Sequence, residues 1–144
     1  MRPADFHQVT PKLLLKEGAR VQAGEAIFYS KSDESVKFVS PVSGNIVEIV
    51  RGERRVILEI KIQADAQDHP LQHGAKDPQK MDASQVKSHL LESGCWPFIK
   101  QRPYDVVANS NDVPKSIFVS TYASAPLAAD FEFTLKDRLD AFQT

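Results

Sequence analysis

Residues 35–55 read Ser-Val-Lys-Phe-Val-Ser-Pro-Val-Ser-Gly-Asn-Ile-Val-Glu-Ile-Val-Arg-Gly-Glu-Arg-Arg, and this stretch decides the fold. Val36, Phe38 and Ser40 alternate with Lys37, Val39 and Pro41. Ile46, Glu48 and Val50 alternate with Val47 and Ile49 before an Arg51-Gly52-Glu53-Arg54 turn. A period of two puts successive side chains on opposite faces, which is the mark of a strand. Pro41-Val42-Ser43-Gly44 separates the two strands. Working outward, Leu13 and Leu15 alternate with Leu14 and Lys16, Ala26-Ile27-Phe28-Tyr29 is strand-sized, and Val56-Ile57-Leu58-Glu59-Ile60-Lys61-Ile62 alternates over its second half. Glu17-Gly18 and Ala23-Gly24 are turn signals, because glycine reaches positive φ without steric cost. Short strands with a turn every 8–12 residues or so predict a small barrel or sandwich.

This order of strands and turns resembles the barrel-sandwich sheet of biotinyl and lipoyl carrier domains. Those domains present a modified lysine at a hairpin tip upstream of the Pro-x-Ser-Gly turn. Counting the corresponding distance back from Pro41 lands on Asp33, inside Lys31-Ser32-Asp33-Glu34. Lys31 is two positions off and Lys37 falls in the following strand. A slip of one residue turns a strand's side chains to the other face, so register matters here. The expectation is a solvated charged tip, with a swinging-arm carrier as the lesser reading.

The chain has 144 residues, 42% hydrophobic and 26% charged, with a net charge of −1. That suits one medium domain or two small ones. No basic patch with interleaved aromatics points to nucleic acid. No apolar run approaches the ~18 residues of a membrane span. Residues 1–20 lack the apolar core of a signal peptide. The single cysteine, Cys95, excludes an internal disulfide and points to a reducing compartment.

Residues 64–80 change character. Ala64-Asp65-Ala66-Gln67-Asp68-His69-Pro70 and His73-Gly74-Ala75-Lys76-Asp77-Pro78 are polar and punctuated by proline and glycine, as in a linker. Asp82 then caps a helix, with Gln85 at the reciprocal capping-box position and Gly94 as its stop. Val86 and Leu90 share one face with Ala83. Pro97 and Pro103 block helix beyond it. Ser116-Ile117-Phe118-Val119-Ser120 predicts a buried parallel strand. Leu135, Leu139 and Phe142 have helical spacing that stops without a cap, which predicts a piece of a longer protein. The reading is therefore α+β: a β-rich barrel-sandwich hybrid over residues 1–63, a linker over 64–81, and the start of an α/β domain over 82–144.

Several segments in one order carry a closer resemblance. They are Lys16-Glu17-Gly18 with Val21 and Gly24, Val36-Lys37-Phe38 with Ser40-Pro41-Val42-Ser43-Gly44, and Arg51-Gly52-Glu53-Arg54-Arg55. Later come Gly94 and Trp96, Ile99-Lys100-Gln101-Arg102-Pro103-Tyr104-Asp105, Ile117-Phe118-Val119-Ser120 and Ser124-Ala125-Pro126-Leu127-Ala128. Together they resemble the A subunit of the bacterial sodium-translocating NADH:quinone reductase, over nearly the whole chain. The resemblance implies a six-subunit respiratory pump that passes electrons from NADH to ubiquinone and exports sodium. The A subunit of that pump is similar to the flavin subunit of complex I without its cofactors. It is roughly three times this length, as several domains in one chain would be. The resemblance further implies a peripheral place on the cytoplasmic face of the inner membrane, docked on the membrane-embedded B subunit. Flavins and the iron–sulfur centre would sit on other subunits, with the quinone as substrate. A sister family, the C subunit of the ferredoxin:NAD electron-transport complex, shares both parts but carries cysteine runs for clusters of four thiolates each. The alternative to the pump reading is a non-catalytic barrel-sandwich interaction module from a different protein.

Candidate chemistry is sparse, and no catalytic, cofactor-binding or metal residue is assigned. His69 and His73 stand four apart but with Pro70 between them and no third ligand nearby. Cys95 follows the negative end of a helix dipole, which disfavours a thiolate, so a buried inert thiol is expected. No phosphate-binding glycine pattern occurs. Lys100, Arg102, Tyr104 and Asp105 form the densest polar cluster, beside Trp96 and Phe98. That cluster reads either as a docking or ligand surface or as an Arg102–Asp105 pair locking a proline-rich loop. Tyr122 would line a crevice at the carboxyl end of the 116–120 strand, or pack the next helix. Arg51, Arg54 and Arg55 face an acidic lipid or a neighbouring protein of the pump, or make a solvated turn.

Overall fold

The computed structural model describes residues 1–140. Its strands are β1 (Pro11–Leu13), β2 (Arg20–Val21), β3 (Ala26–Ser30), β4 (Asp33–Val39), β5 (Gly44–Arg51) and β6 (Ile57–Ala64). They form two three-stranded antiparallel sheets in the orders β1-β3-β4 and β2-β5-β6. The barrel-sandwich character is thus present without a closed barrel. Alternation decides the burial: Val36 and Phe38 of β4, and Ile46 and Ile49 of β5, point inward. The step from Ile46 to Ile49 breaks strict alternation because the ladder shifts register between Ile46 and Glu48. Such an extra residue rotates the strand's inward face.

The core is built on aromatic rings. Phe28 and Phe38 stack at 4.6 Å between centroids with 11° between planes, and Phe6 meets Phe38 edge-on at 4.6 Å. Ile27, Ile46, Ile60 and Val21 complete the filling with essentially no exposure. Each such side chain stabilises the fold by about 1.5–3 kcal/mol, and each ring pair by about 0.5–1.5 kcal/mol more.

Residues 65–71, inside the stretch over 64–81 that reads by composition as a linker, are stitched to the Pro41–Gly44 turn. Ser43, buried, is the hub. Its Oγ accepts from Ala23 N–H at 2.9 Å and His69 N–H at 3.0 Å, and donates to the His69 carbonyl at 3.1 Å. Its own N–H donates to Asp68 Oδ1 at 2.9 Å, and its carbonyl accepts from Asp65 N–H at 2.8 Å. Arg20 pairs with Asp65 at 2.8 Å. A buried hydroxyl must find partners, and this polar strap supplies them. Gly44 is required beside it, because a Cβ there would collide with the Gln63 carbonyl.

Helix α1 (Ala83–Glu92) carries the expected capping box. Asp82 Oδ1 accepts from Gln85 N–H at 2.8 Å, and Gln85 Oε1 accepts from Asp82 N–H at 3.1 Å. Gly94 closes it at φ +72°. A short 3-10 turn at Trp96–Phe98 leads into a two-stranded hairpin, β7 (Lys100–Gln101) and β8 (Val106–Val107). Trp96, Leu90 and Leu91 pack against the barrel-sandwich core. The α1 helix and the 3-10 turn both lie on β4.

Two expectations do not hold in this part. Residues 116–120 form no strand, and Ile117, Phe118 and Val119 are exposed by 70, 92 and 74%. A buried parallel strand needs ladder partners on its flanks, and none lies beside this segment among the described residues. Cys95 is exposed rather than buried. The neighbouring Gly94 and Trp96 turn inward, which leaves the thiol facing out. Helix α2 (Phe131–Leu135) begins at an Asp130 cap. It includes Leu135 of the expected helical face, while Phe142 lies outside the described residues.

Gly94 offers a direct check of the seam. A Cβ there would overlap the Val39 side chain, at a backbone angle that L-residues adopt at a cost. Gly94→Ala should lower the urea unfolding free energy by about 2 kcal/mol or more. Adding Val39→Ala should return part of that loss, by removing the overlap but not the backbone strain.

Candidate functional site

The sequence-derived residues fall into three places. Trp96 is buried, and its Nε1–H donates to the Ala108 carbonyl at 2.8 Å, so the indole ties the 3-10 turn to the segment that follows β8. Lys100, Arg102, Tyr104 and Asp105 lie together on the β7–β8 hairpin and are exposed. Lys100 Nζ sits 5.9 Å from the Phe6 ring centroid. Asp105 takes φ 53° in the turn, and no ion pair joins it to Arg102 among the described residues. Tyr104 is 77% exposed. Tyr122 is separate from this cluster, in the extended segment, 82% exposed, its N–H and carbonyl both bonded to the Ser120 hydroxyl. With no strand at 116–120, Tyr122 lines no strand-end crevice.

Sequence reasoning missed a second cluster, at the β3–β4 tip. Ser30 pairs with Asp33, so the two-residue turn is Lys31-Ser32. The turn therefore does contain a lysine, exposed, and the count to Asp33 misplaced the tip. The flanks of that turn are clamped. Buried Ser110 donates its hydroxyl to Asp33 Oδ2 at 2.5 Å. Ser35 donates through Oγ at 2.6 Å and N–H at 3.0 Å to Asp33 Oδ1, and Lys31 N–H donates to the Thr10 carbonyl at 2.9 Å. Partial burial works to raise the Asp33 pKa, but the donors from Ser110 and Ser35 outweigh it and hold the carboxyl below its ordinary value. Ser110 lies 77 residues downstream of Asp33, so nothing local in the sequence signalled the bond.

A cavity of about 250 Å³ opens beside this clamp, lined by His7, Ser30, Ser32, Asp33, Asn109 and Asn111 among others. Both Asp33 oxygens are already engaged, which makes the carboxylate an anchor rather than a proton-transfer group. Cys95 lies outside both clusters. His69 serves the Ser43 hub through its backbone, and among the described residues no three metal-binding side chains come together. No helix among the described residues is long and apolar enough to cross a membrane.

Residues 1–65 match the family model for the NqrA N-terminal barrel-sandwich hybrid domain, and residues 81–144 match that for the NqrA second alpha/beta domain. The chain belongs to the NqrA family. The A subunit of the Na(+)-translocating NADH-quinone reductase from a Marinomonas strain is 38% identical over 140 residues, covering 96% of this chain and 32% of that protein. The protein of the same name from Pseudomonas aeruginosa is 34% identical over 142 residues, with the same two shares. That from Actinobacillus pleuropneumoniae is 38% identical over 135 residues, covering 92% of this chain and 30% of the relative. The chain thus spans about a third of the length of the curated NqrA relatives it matches. Membership of NqrA decides against the sister ferredoxin-linked family.

The Asp33 clamp has a pH signature. A carboxyl whose folded pKa is lowered contributes stability that is present above its unfolded value, about 3.9, and lost as pH falls through the folded value. Acid titration of unfolding free energy should fall more steeply below that pH in the wild type than in Asp33→Asn. Ser110→Ala should lie between the two.

Lys31 should carry no attached group, because its turn is held against Thr10 and Ser110. After co-expression with lipoyl and biotin ligases, intact mass should equal that of the bare chain. An added lipoyl or biotinyl mass would restore the carrier reading.

Proposed function

We propose that this chain acts as the NqrA portion of a sodium-pumping NADH:quinone reductase, with a structural, docking role close to the quinone. The observation that carries the reading is the match of both segments to NqrA. Phe98, Tyr104, Val113, Phe118 and Tyr122 are all more than three-quarters exposed. Apolar side chains exposed in this way are surface that other protein segments cover.

In this proposal the partners are the other reductase subunits, above all the membrane-embedded B subunit. The place is the cytoplasmic face of the inner membrane, held peripherally. Electrons pass from NADH to ubiquinone through flavins and an iron–sulfur centre on the other subunits. This chain supplies no redox group. Arg102 and Tyr104, exposed at the tip of the β7–β8 hairpin, are the contacts of choice. An exposed guanidinium and an amphipathic ring on one hairpin are what interfaces enrich.

The test is capture of the assembled reductase from detergent-solubilised membranes by the tagged chain, with bound proteins identified by mass. Recovery of the other subunits is expected, and recovery of none would contradict the docking role. In the full-length protein, Arg102→Ala and Tyr104→Ala should each weaken assembly or quinone reduction by about tenfold if they are interface anchors. Unchanged assembly and activity in both would remove the hairpin from the interface.

A further inference from the structure

The β5–β6 tip, at the end of the sheet away from the Ser43 strap, combines two features that the docking role does not use. Arg51, Arg54 and Arg55 crowd one turn, where Arg54 and Arg55 take φ of 54° and 62°. Lys16 stands across a groove of about 500 Å³ that is lined by Leu13, Leu15, Ile49 and Arg51 among others. None of these four cations makes an ion pair among the described residues, although cations elsewhere pair with Glu59, Asp65, Glu48 and Asp77. The turn and loop themselves carry the carboxylates Glu53 and Glu17, and Glu17 is already bound to the Ile49 N–H at 2.7 Å, while Glu59, across the ladder from Val50, pairs with Arg2. Four cations less two carboxylates leave +2 at this tip, on a chain whose net charge is −1.

The second feature is apolar. Val56, Leu14 and Leu58 stand 57, 49 and 49% exposed beside those guanidiniums. Leu58 lies close against Gly52, and Glu53, Arg54 and Arg55 of the turn are all exposed.

We propose that this tip and the Leu13–Glu17 loop form a docking face for an anionic lipid surface. Guanidiniums reach lipid phosphates while Val56, Leu14 and Leu58 enter the boundary between headgroups and acyl chains. Juxtaposed basic and apolar side chains bind such a boundary by summing charge attraction and apolar burial. An acidic protein partner is the other candidate class. Protein interfaces are centred on aromatic anchors, and neither the turn nor the groove lining includes an aromatic side chain. The proposal does not depend on the reductase reading, because vesicles without protein test it alone.

The test is flotation of the full 144-residue chain with vesicles of phosphatidylcholine and phosphatidylglycerol in equal amounts, against pure phosphatidylcholine vesicles. Binding to the mixed vesicles only, weakening as salt rises, is expected. Arg54→Gln with Arg55→Gln should lower partitioning about tenfold or more, at about 1 kcal/mol per cation. Val56→Ser, which leaves charge unchanged, should also lower it. Lys76→Gln with Lys80→Gln removes the same charge from the polar segment and should change partitioning little. No binding to anionic vesicles, or an equal loss in the Lys76/Lys80 control, would overturn the proposal. Loss of reductase capture by the arginine variant without vesicle binding would assign the face to a protein instead.

Discussion

The contact between β4 and the segment from Gly94 to Trp96 is the constraint on which the rest depends. The barrel-sandwich half has a core of its own in Phe28, Phe38 and the isoleucines. The half that follows does not. Its helix buries no residue fully, and its hairpin has two residues per strand. A two-stranded hairpin alone is marginal in water. What gives this second half a definite position is the close approach at Gly94, with the Trp96 indole, Leu90 and Leu91 set against the outer side of the first core. The Ser110–Asp33 bond fixes the other end of the same seam.

This dependence explains which parts were legible in the sequence. The strands around Pro41–Gly44 were readable because alternation and burial agree. The α1 helix was readable because Asp82, Gln85 and Gly94 act locally. The signals failed wherever a partner distant in sequence decides the outcome. In the linker over 64–81, composition gave no sign that residues 65–71 bond to buried Ser43. Asp33 looks like a solvated tip residue, yet Ser110 claims it. Residues 116–120 look like a buried strand, since their apolar run is genuine, but no neighbouring strand covers them among the described residues. Cys95 and Trp96 are adjacent in a segment without simple periodicity, so nothing indicated that one faces out and the other in. The candidate surface residues were half legible: Lys100, Arg102, Tyr104 and Asp105 do share a hairpin, while Trp96 serves packing and Tyr122 stands apart.

The same geometry separates this chain from the carrier domains that its sheet resembles. A carrier tip must swing free to deliver its group. Here Lys31 occupies the turn, but its own backbone is bound to Thr10 and the flanking Asp33 to Ser110. A scaffold that anchors its tip has exchanged a mobile arm for a fixed joint. What remains available is surface: the exposed β7–β8 hairpin on one part of the molecule, and the arginine-bearing β5–β6 tip on another.

The two halves form one cooperative unit through this seam, and the chain's single tryptophan lies in it. Urea unfolding followed by Trp96 fluorescence and by far-ultraviolet ellipticity tests it directly. Coincident transitions with one midpoint are predicted, as for a two-state unit. A fluorescence transition completed at lower urea than the ellipticity transition would show that the second half detaches while the barrel-sandwich core persists, and would contradict the account.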